Sequence, residues 1–332
     1  MKRILVVGNA LVDRLYQNTP DETLSVLGLK RGSMTLIDDN QAAALAKRLD
    51  GQPCERATGG SAANAAKAMA HLGTHVSFIG CVGCDEVGEF FAQTLENAGV
   101  HSCVLTDSAH STGIATTFIS PDGERTFATH LGAANTMDTD LISTELIEGR
   151  DLLYLEGYLV QNHNLVMTIL RIADRLGMEI ALDMASYNIV AEDRDFFRQI
   201  LADYVDIVFA NEQEALAFAF PGRDVNQADD EAVEMAATML SRICRIAVVK
   251  CGAKGSIYHE ADVRGYCPAH EVPREKVIDT TAAGDFFAAG FLSEYAKGMP
   301  IAACMEKGAE VSAEIIQVVG SRLPHDTWER LR

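Results

Sequence analysis

Positive charge is scarce in this chain: 28 lysines and arginines stand against 47 aspartates and glutamates in 332 residues, a formal net charge of −19 at pH 7. Nucleic acid and anionic membrane surfaces are therefore poor partners, because binding a phosphate backbone needs a basic face. Any anionic ligand needs a local positive site. No run of eighteen apolar residues occurs, so no segment reads as a membrane span. The start MKRILVVGNALVDRLY imitates an export signal, but its apolar run is broken by Asn9, ends at Asp13 and offers no small-residue cleavage site; it reads as a first strand. Eight cysteines show no disulfide spacing. The one CxxC, Cys81 to Cys84, lacks a second pair or histidines at ligand spacing, which points to reduced thiols in a cytosolic protein. Familiar nucleotide loops are missing too: there is no GxxxxGK[ST], and VVGNAL after the first strand lacks GxGxxG. GGSAA has Ala63 where a nucleophile elbow needs glycine.

What is present is an alternation. Short apolar, β-branched runs at 3–8, 75–80, 152–157, 178–183, 205–211 and 245–250 are separated by stretches of helical period such as 62–72, 162–176, 211–220 and 226–242. This pattern predicts an α/β fold, a mostly parallel sheet covered by helices on both faces, with ligands at the carboxyl ends of the strands. Residues 14–45 and 102–131 break the rhythm with turn residues and short alternating segments, and SPDG (120–123) reads as a hairpin turn. Neither stretch can bury a core alone. They are expected to join as a small β-strand lid inserted into a core of residues 1–13, 46–101 and 132–332, with no internal repeat or low-complexity linker.

One stretch invites chemistry. In VIDTTAAGDFFAAGFL (277–292), small residues precede an apolar helical run that ends at Gly298 with Pro300 beyond, so a helix should start near Ala283. Its first amides have no intrahelical partners and its dipole adds positive charge there, while Ala282, Ala283 and Gly284 leave room for a bulky anion. Asp285, in the first turn, is either a carboxylate favoured by the dipole or a general base beside a bound phosphate.

DTTAAGD (279–285) resembles the C-terminal signature of the ribokinase-like (PfkB) family of carbohydrate and nucleoside kinases, usually DTxGAGD. Further resemblances follow in the family's order: GNALVD (8–13), GGSAANAAKAMAHLG (59–73), GCVGCDEVGE (80–89), NEQE (211–214) and VVKCGAKGS (248–256). Together they cover essentially the whole length. The resemblance implies a ribokinase-like fold and transfer of the γ-phosphate of ATP to an alcohol. Asp285 would be the base, and the amides of Ala283, Gly284 and Asp285 the anion hole. Asn211 and Glu214 match residues that hold Mg²⁺ through water; as a bare pattern they also suit a capped helix start. Asp13, Gly60 and Asn64 match binders of sugar hydroxyls. Arg125 resembles a lid arginine that reaches the phosphate on closure, the alternative being a solvated side chain. Lys250, Gly252 and Gly255, with Gly284, fall on the ATP strand and loop; Lys250 replaces the usual threonine, and its direction is left open. Asp279, Thr281 and Gly320 resemble part of a monovalent-cation loop, with dependence on K⁺ left open. Ala282 replaces the signature's first glycine, and a methyl there resists φ > 0.

The resemblance leans toward the adenosine-kinase-like branch. GNALVD resembles its GNPLLD, RTFATHLGAAN (125–135) and AEIIQVVGSRLP (313–324) follow its pattern, and Tyr158 falls where that branch stacks an aromatic ring under the base. Besides Arg125 and Arg14 at its first residue, the lid carries only Lys30 and Arg31, which favours an uncharged acceptor. The expected activity is phosphorylation of the 5′-hydroxyl of a nucleoside such as adenosine, by a cytosolic monomer or homodimer. Ribose, fructose or another carbohydrate is the alternative acceptor. A nucleoside-binding protein without turnover and a dinucleotide-dependent oxidoreductase are alternatives from other classes, the latter disfavoured by the missing glycine fingerprint.

Overall fold

Strands with apolar residues on both faces build the frame. The computed structural model describes residues 1–122, 124–226, 229–261 and 263–332. Nine strands form one sheet in the order Val263–Cys267, Ser256–Glu260, Ile246–Lys250, Ile207–Asn211, Glu179–Asp183, Leu152–Glu156, Ile4–Val7, Val76–Ile79 and His101–Ser102. Neighbours run parallel except at Ser256–Glu260, which pairs antiparallel on both sides. All six apolar runs expected as strands lie here, with ends within two residues of those read from sequence.

Successive side chains of a strand point to opposite faces, and both faces are covered. Leu5, Val7, Leu153 and Leu155 enter one core with the helices His163–Arg175, Arg194–Asp203 and Asp230–Ser241. Ile4, Val6, Leu152 and Tyr154 enter the other with Ser61–His71, Glu86–Asn97, Ala283–Ala296 and Ile301–Ile315. The last two of these helices cross at glycines. A Cβ on Gly290 would lie 2.6 Å from the Lys307 carbonyl oxygen, and one on Gly308 would lie 2.9 Å from that of Phe287. Close backbone approach thus fixes the helix that begins at Ala283.

A second sheet of five strands, in the order Met34–Leu36, Arg125–His130, Gly113–Ile119, Leu11–Tyr16 and Glu55–Gly59, sits apart from the first. Its extent differs from the expected lid. It starts at Leu11 and recruits Glu55–Gly59, a segment expected in the core, because Leu11 to Leu15 pair antiparallel with it. Conversely, His101–Ser102 edges the large sheet and Leu105–Asp107 pairs with Cys81–Gly83. The stretch 14–45 also holds two helices, Asp21–Leu27 and Asp39–Arg48, the second started by a capping box between Asp38 and Gln41. The hairpin Gly113–Ile119 to Arg125–His130 is antiparallel, with the Ser120 amide donating to the Glu124 carbonyl at 2.9 Å; Gly123 of the SPDG turn lies outside the described residues. Among the described residues no helix is long and apolar enough to cross a membrane.

Candidate active site

The helix Ala283–Ala296 starts where the sequence placed it, and Ala282 just before it has φ 63° and ψ 2°. The methyl therefore sits in the left-handed region that a glycine would occupy freely, a strain of about 1 kcal/mol or more. Asp285 projects from the first turn toward the start of a second helix. Its Oδ1 accepts from the Ser61 hydroxyl at 2.7 Å and its Oδ2 from Asn64 Nδ2 at 3.1 Å. Burial pushes Asp285 up to about 6, against the pull of those two hydrogen bonds. A carboxylate that titrates near neutral pH is suited to general-base work.

Gly60 caps that second helix, Ser61–His71, at φ 89°, and a Cβ there would lie 2.4 Å from the Asn9 carbonyl oxygen. Ser61, Asn64 and Lys67 follow at intervals of three and share a helix face. Lys67 Nζ donates to the Thr58 carbonyl at 3.1 Å and to Thr58 Oγ1 at 2.5 Å. Burial draws Lys67 down to about 8, opposed by Asp13 and Asp285. Asp13, on Leu11–Tyr16, packs over Gly59, where a Cβ would lie 2.3 Å from its Oδ1; burial raises it to about 6, opposed by Lys67 and Arg125. Asn64 Oδ1 is buried and has no hydrogen-bond partner.

Beside these groups opens a cavity of about 300 Å³, lined by Asn9, Gly60, Ser61, Glu156 and Tyr158, with Met34, Leu36 and Leu131 from the lid side. Tyr158 stands on the short turn Gly157–Gln161, half-buried. Met34 and Leu36 are each about half exposed, and their shared strand face supplies an apolar cover. A second cavity of about 680 Å³ is lined by Lys250, Gly252, Gly255, Ala283 and Gly284. Gly252 and Gly255 have φ of 56° and 91°, which a side chain would resist. Asp285, hydrogen-bonded to Ser61 of the first cavity and following Gly284 of the second, stands at the seam between them.

Lys250 points inward: its Nζ is 2.9 Å from Asp183 Oδ2. Burial alone would lower its pKa, but Asp183 and Glu214 outweigh that and hold it above its usual value. Asn211 and Glu214 form a capping box, the Asn211 amide donating to Glu214 Oε2 at 2.8 Å and Asn211 Nδ2 to Oε1 at 2.7 Å. Burial raises Glu214, and Asp183 adds to the rise. Among the described residues no three His, Cys, Asp or Glu side chains are set to grip a bare ion. An ion at Asn211 and Glu214 would therefore have to be held through water, as hydrated Mg²⁺ allows. Arg125, on the lid hairpin, forms a nearly buried ion pair with Asp279. The same Asp279 carboxylate accepts from the amides of Thr281 at 3.0 Å and Gly320 at 2.7 Å. The three residues of the expected cation loop are therefore together, but their carboxylate already faces a guanidinium.

Sequence reasoning missed Ser61, Lys67, Asp183 and Glu156. Glu156, buried, accepts from Asn9 Nδ2 at 2.9 Å and from the Ala62 amide at 3.0 Å, joining the loop after the first strand to the helix start. Burial raises it to about 7. Two signals were available: the i, i+3, i+6 spacing from Ser61, and the position of Asp183 and Glu156 at the carboxyl ends of their strands.

Comparison with known proteins agrees with this geometry. Residues 24–328 match the pfkB family carbohydrate kinase model. The adenosine kinase of Dictyostelium discoideum is 30% identical over 338 residues, covering 97% of this chain and 96% of that protein. Among solved structures, a probable sugar kinase from Rhizobium etli CFN 42 superposes with a TM-score of 0.86 at 31% identity, covering 99% and 97% of the two chains. The adenosine kinase of Sinorhizobium meliloti gives 0.84 at 31% identity, covering 99% and 98%. The fold is ribokinase-like, and the chain belongs to the pfkB family of carbohydrate kinases, on its adenosine-kinase-like branch, as a phosphotransferase with an alcohol group as acceptor.

Proposed function

We propose that the protein phosphorylates the 5′-hydroxyl of a nucleoside of the adenosine class, with MgATP as donor. The carrying observation is the pairing of two cavities across Asp285: one has apolar walls, an aromatic ring and a few polar groups, the other runs along glycines to the start of the helix Ala283–Ala296. Tyr158, Met34 and Leu36 suit the flat apolar faces of a base. Asp13 and the unpartnered Asn64 Oδ1 suit the two hydroxyls of a ribose, both accepting from them. Lys30, Arg31 and Arg125 are not among the residues that line this cavity, and Arg31 is paired with Asp21, Asp122 and Glu124. An uncharged acceptor fits that arrangement better than a phosphorylated sugar.

In the reaction, the acceptor oxygen attacks the γ-phosphorus in line while its proton passes to Asp285. The amides of Ala283, Gly284 and Asp285 stabilise charge on the transferring group. Glu214 and Asn211 would hold Mg²⁺ through water, and the ion would supply charge neutralisation on the phosphates. Closure of the small sheet over the acceptor excludes water. A monovalent cation at Asp279, Thr281 and Gly320 has to compete with the Arg125 guanidinium, so K⁺ is expected to tune turnover and not to enable it. The test is ATP consumption across nucleosides, pentoses, hexoses and hexose phosphates, with and without K⁺. Turnover with a free hexose or pentose exceeding that with every nucleoside would replace this reading by the sugar-kinase one, and binding of adenosine without ADP release would leave a binding protein.

A further inference from the structure

Position 250 places a lysine at the carboxyl end of a central strand, and the fold turns its side chain inward. Lys250 ends the strand Ile246–Lys250 with its side chain 15% exposed and that of its partner Asp183 8% exposed. A Cβ added to Gly284 would lie 3.0 Å from Lys250 Nζ, so the ammonium rests against the second residue of the helix that starts at Ala283. Three carboxylates face it from separate elements: Asp183, Glu214 and Asp285.

The carboxylates stabilise the ammonium, yet its place in the fold is one that suits an anion. Cations are favoured at the negative end of a helix dipole, and this one stands at the positive end, beside amides that have no intrahelical partner. A buried ion pair contributes little stability compared with apolar residues of the same shape, so packing alone gives no reason for it. A phosphoryl group bound at those amides would satisfy helix start and ammonium together.

We propose that Lys250 is a catalytic residue that contacts the transferring γ-phosphoryl group, and that Asp183 is the positioning residue that holds its ammonium beside the Gly284 and Asp285 amides until MgATP binds. This rests on the kinase reading. In the step itself the acceptor oxygen bonds to the γ-phosphorus, the bond from that phosphorus to the β,γ-bridging oxygen breaks, ADP leaves with the bridging oxygen, and the acceptor proton goes to Asp285. Lys250 keeps its proton throughout and donates a hydrogen bond to a non-bridging oxygen whose charge grows in the transition state.

The test uses the full chain as K250M, K250R, D183N and the charge-neutral K250M/D183N, which removes both members of the buried pair and guards against loss of fold. Steady-state kinetics with adenosine are combined with calorimetric affinities for ADP and for the non-hydrolysable ATP analogue AMPPNP. K250M/D183N should lose kcat by on the order of 10²-fold or more, with adenosine affinity unchanged. AMPPNP affinity should fall while ADP affinity holds, a split that a merely structural lysine would not produce. K250R should recover part of kcat, and D183N should lose less than K250M. A folded K250M/D183N with wild-type kcat overturns the proposal, as does an equal loss of ADP and AMPPNP affinity. If the double variant does not fold, the AMPPNP-to-ADP split measured on K250R and D183N decides. A wild-type protein that consumes no ATP with any acceptor would defeat the kinase reading, and the AMPPNP-to-ADP comparison would still decide the Lys250 contact.

Discussion

The substitution Asp285→Asn should inactivate the protein and stabilise it at the same time. The carboxylate titrates at about 6 in the fold against an ordinary 3.8, chiefly because burial disfavours its charge. A group whose folded-state pKa is raised costs stability when ionised: the cost is absent below about pH 4, grows as the pH passes through about 6, and then levels off at about 3 kcal/mol. The asparagine side chain removes that charge. Its carbonyl can still accept from Ser61, and Asn64 can turn its unpartnered Oδ1 toward the new amide group. A gain of up to about 3 kcal/mol, a few degrees in melting midpoint, is therefore expected at pH 8 and should vanish near pH 4. The loss of the base should lower kcat by roughly 10²–10⁴ with nucleoside affinity largely kept. ADP release coupled to an indicator enzyme and scanning calorimetry at the two pH values measure both effects. A variant with kcat within about tenfold of wild type refutes the base, and a melting midpoint that falls equally at both pH values refutes the burial account.

Other perturbations probe separate parts of the site. In the wild type, kcat/KM should rise with pH through about 6, where Asp13 and Asp285 lose their protons; a profile flat from pH 5 to 8 would contradict this. Tyr158→Ala should raise KM for adenosine by the loss of about 1–3 kcal/mol of stacking while leaving KM for ATP unchanged, and equal shifts in both would remove Tyr158 from under the base. Ala282→Gly relieves the positive φ but adds chain entropy, so stability should change by under about 1 kcal/mol and activity should persist; a large loss of kcat would give the methyl itself a role. Arg125→Ala frees the Asp279 carboxylate, so K⁺ should stimulate this variant more than the wild type when both are compared at equal ionic strength.

Much of the frame was legible because local periodicity encodes it. Apolar runs such as ILVV and IVFAN can be satisfied only with both faces covered, which forces a central sheet between two helical layers. The helix start at Ala283 was legible from its small residues and from Gly298 and Pro300 beyond its end. The limits of the small sheet were not, since Glu55–Gly59 has little apolar content and becomes a strand only by pairing with Leu11 to Leu15. Pairing is a long-range property that composition does not carry.

The sequence by itself determined the fold class, the helix N-terminus that can receive a phosphate, and Asp285 beside it, because each depends on residues close in the chain. Only the tertiary structure decided what those residues meet. Ser61 and Asn64 lie 224 and 221 positions from Asp285, Lys250 lies 67 from Asp183, and Arg125 lies 154 from Asp279. Such contacts arise because helix starts, strand ends and the small sheet, all distant in the chain, meet at the carboxyl edge of the large sheet, and burial there, not residue identity, sets which carboxylate can take a proton near neutral pH.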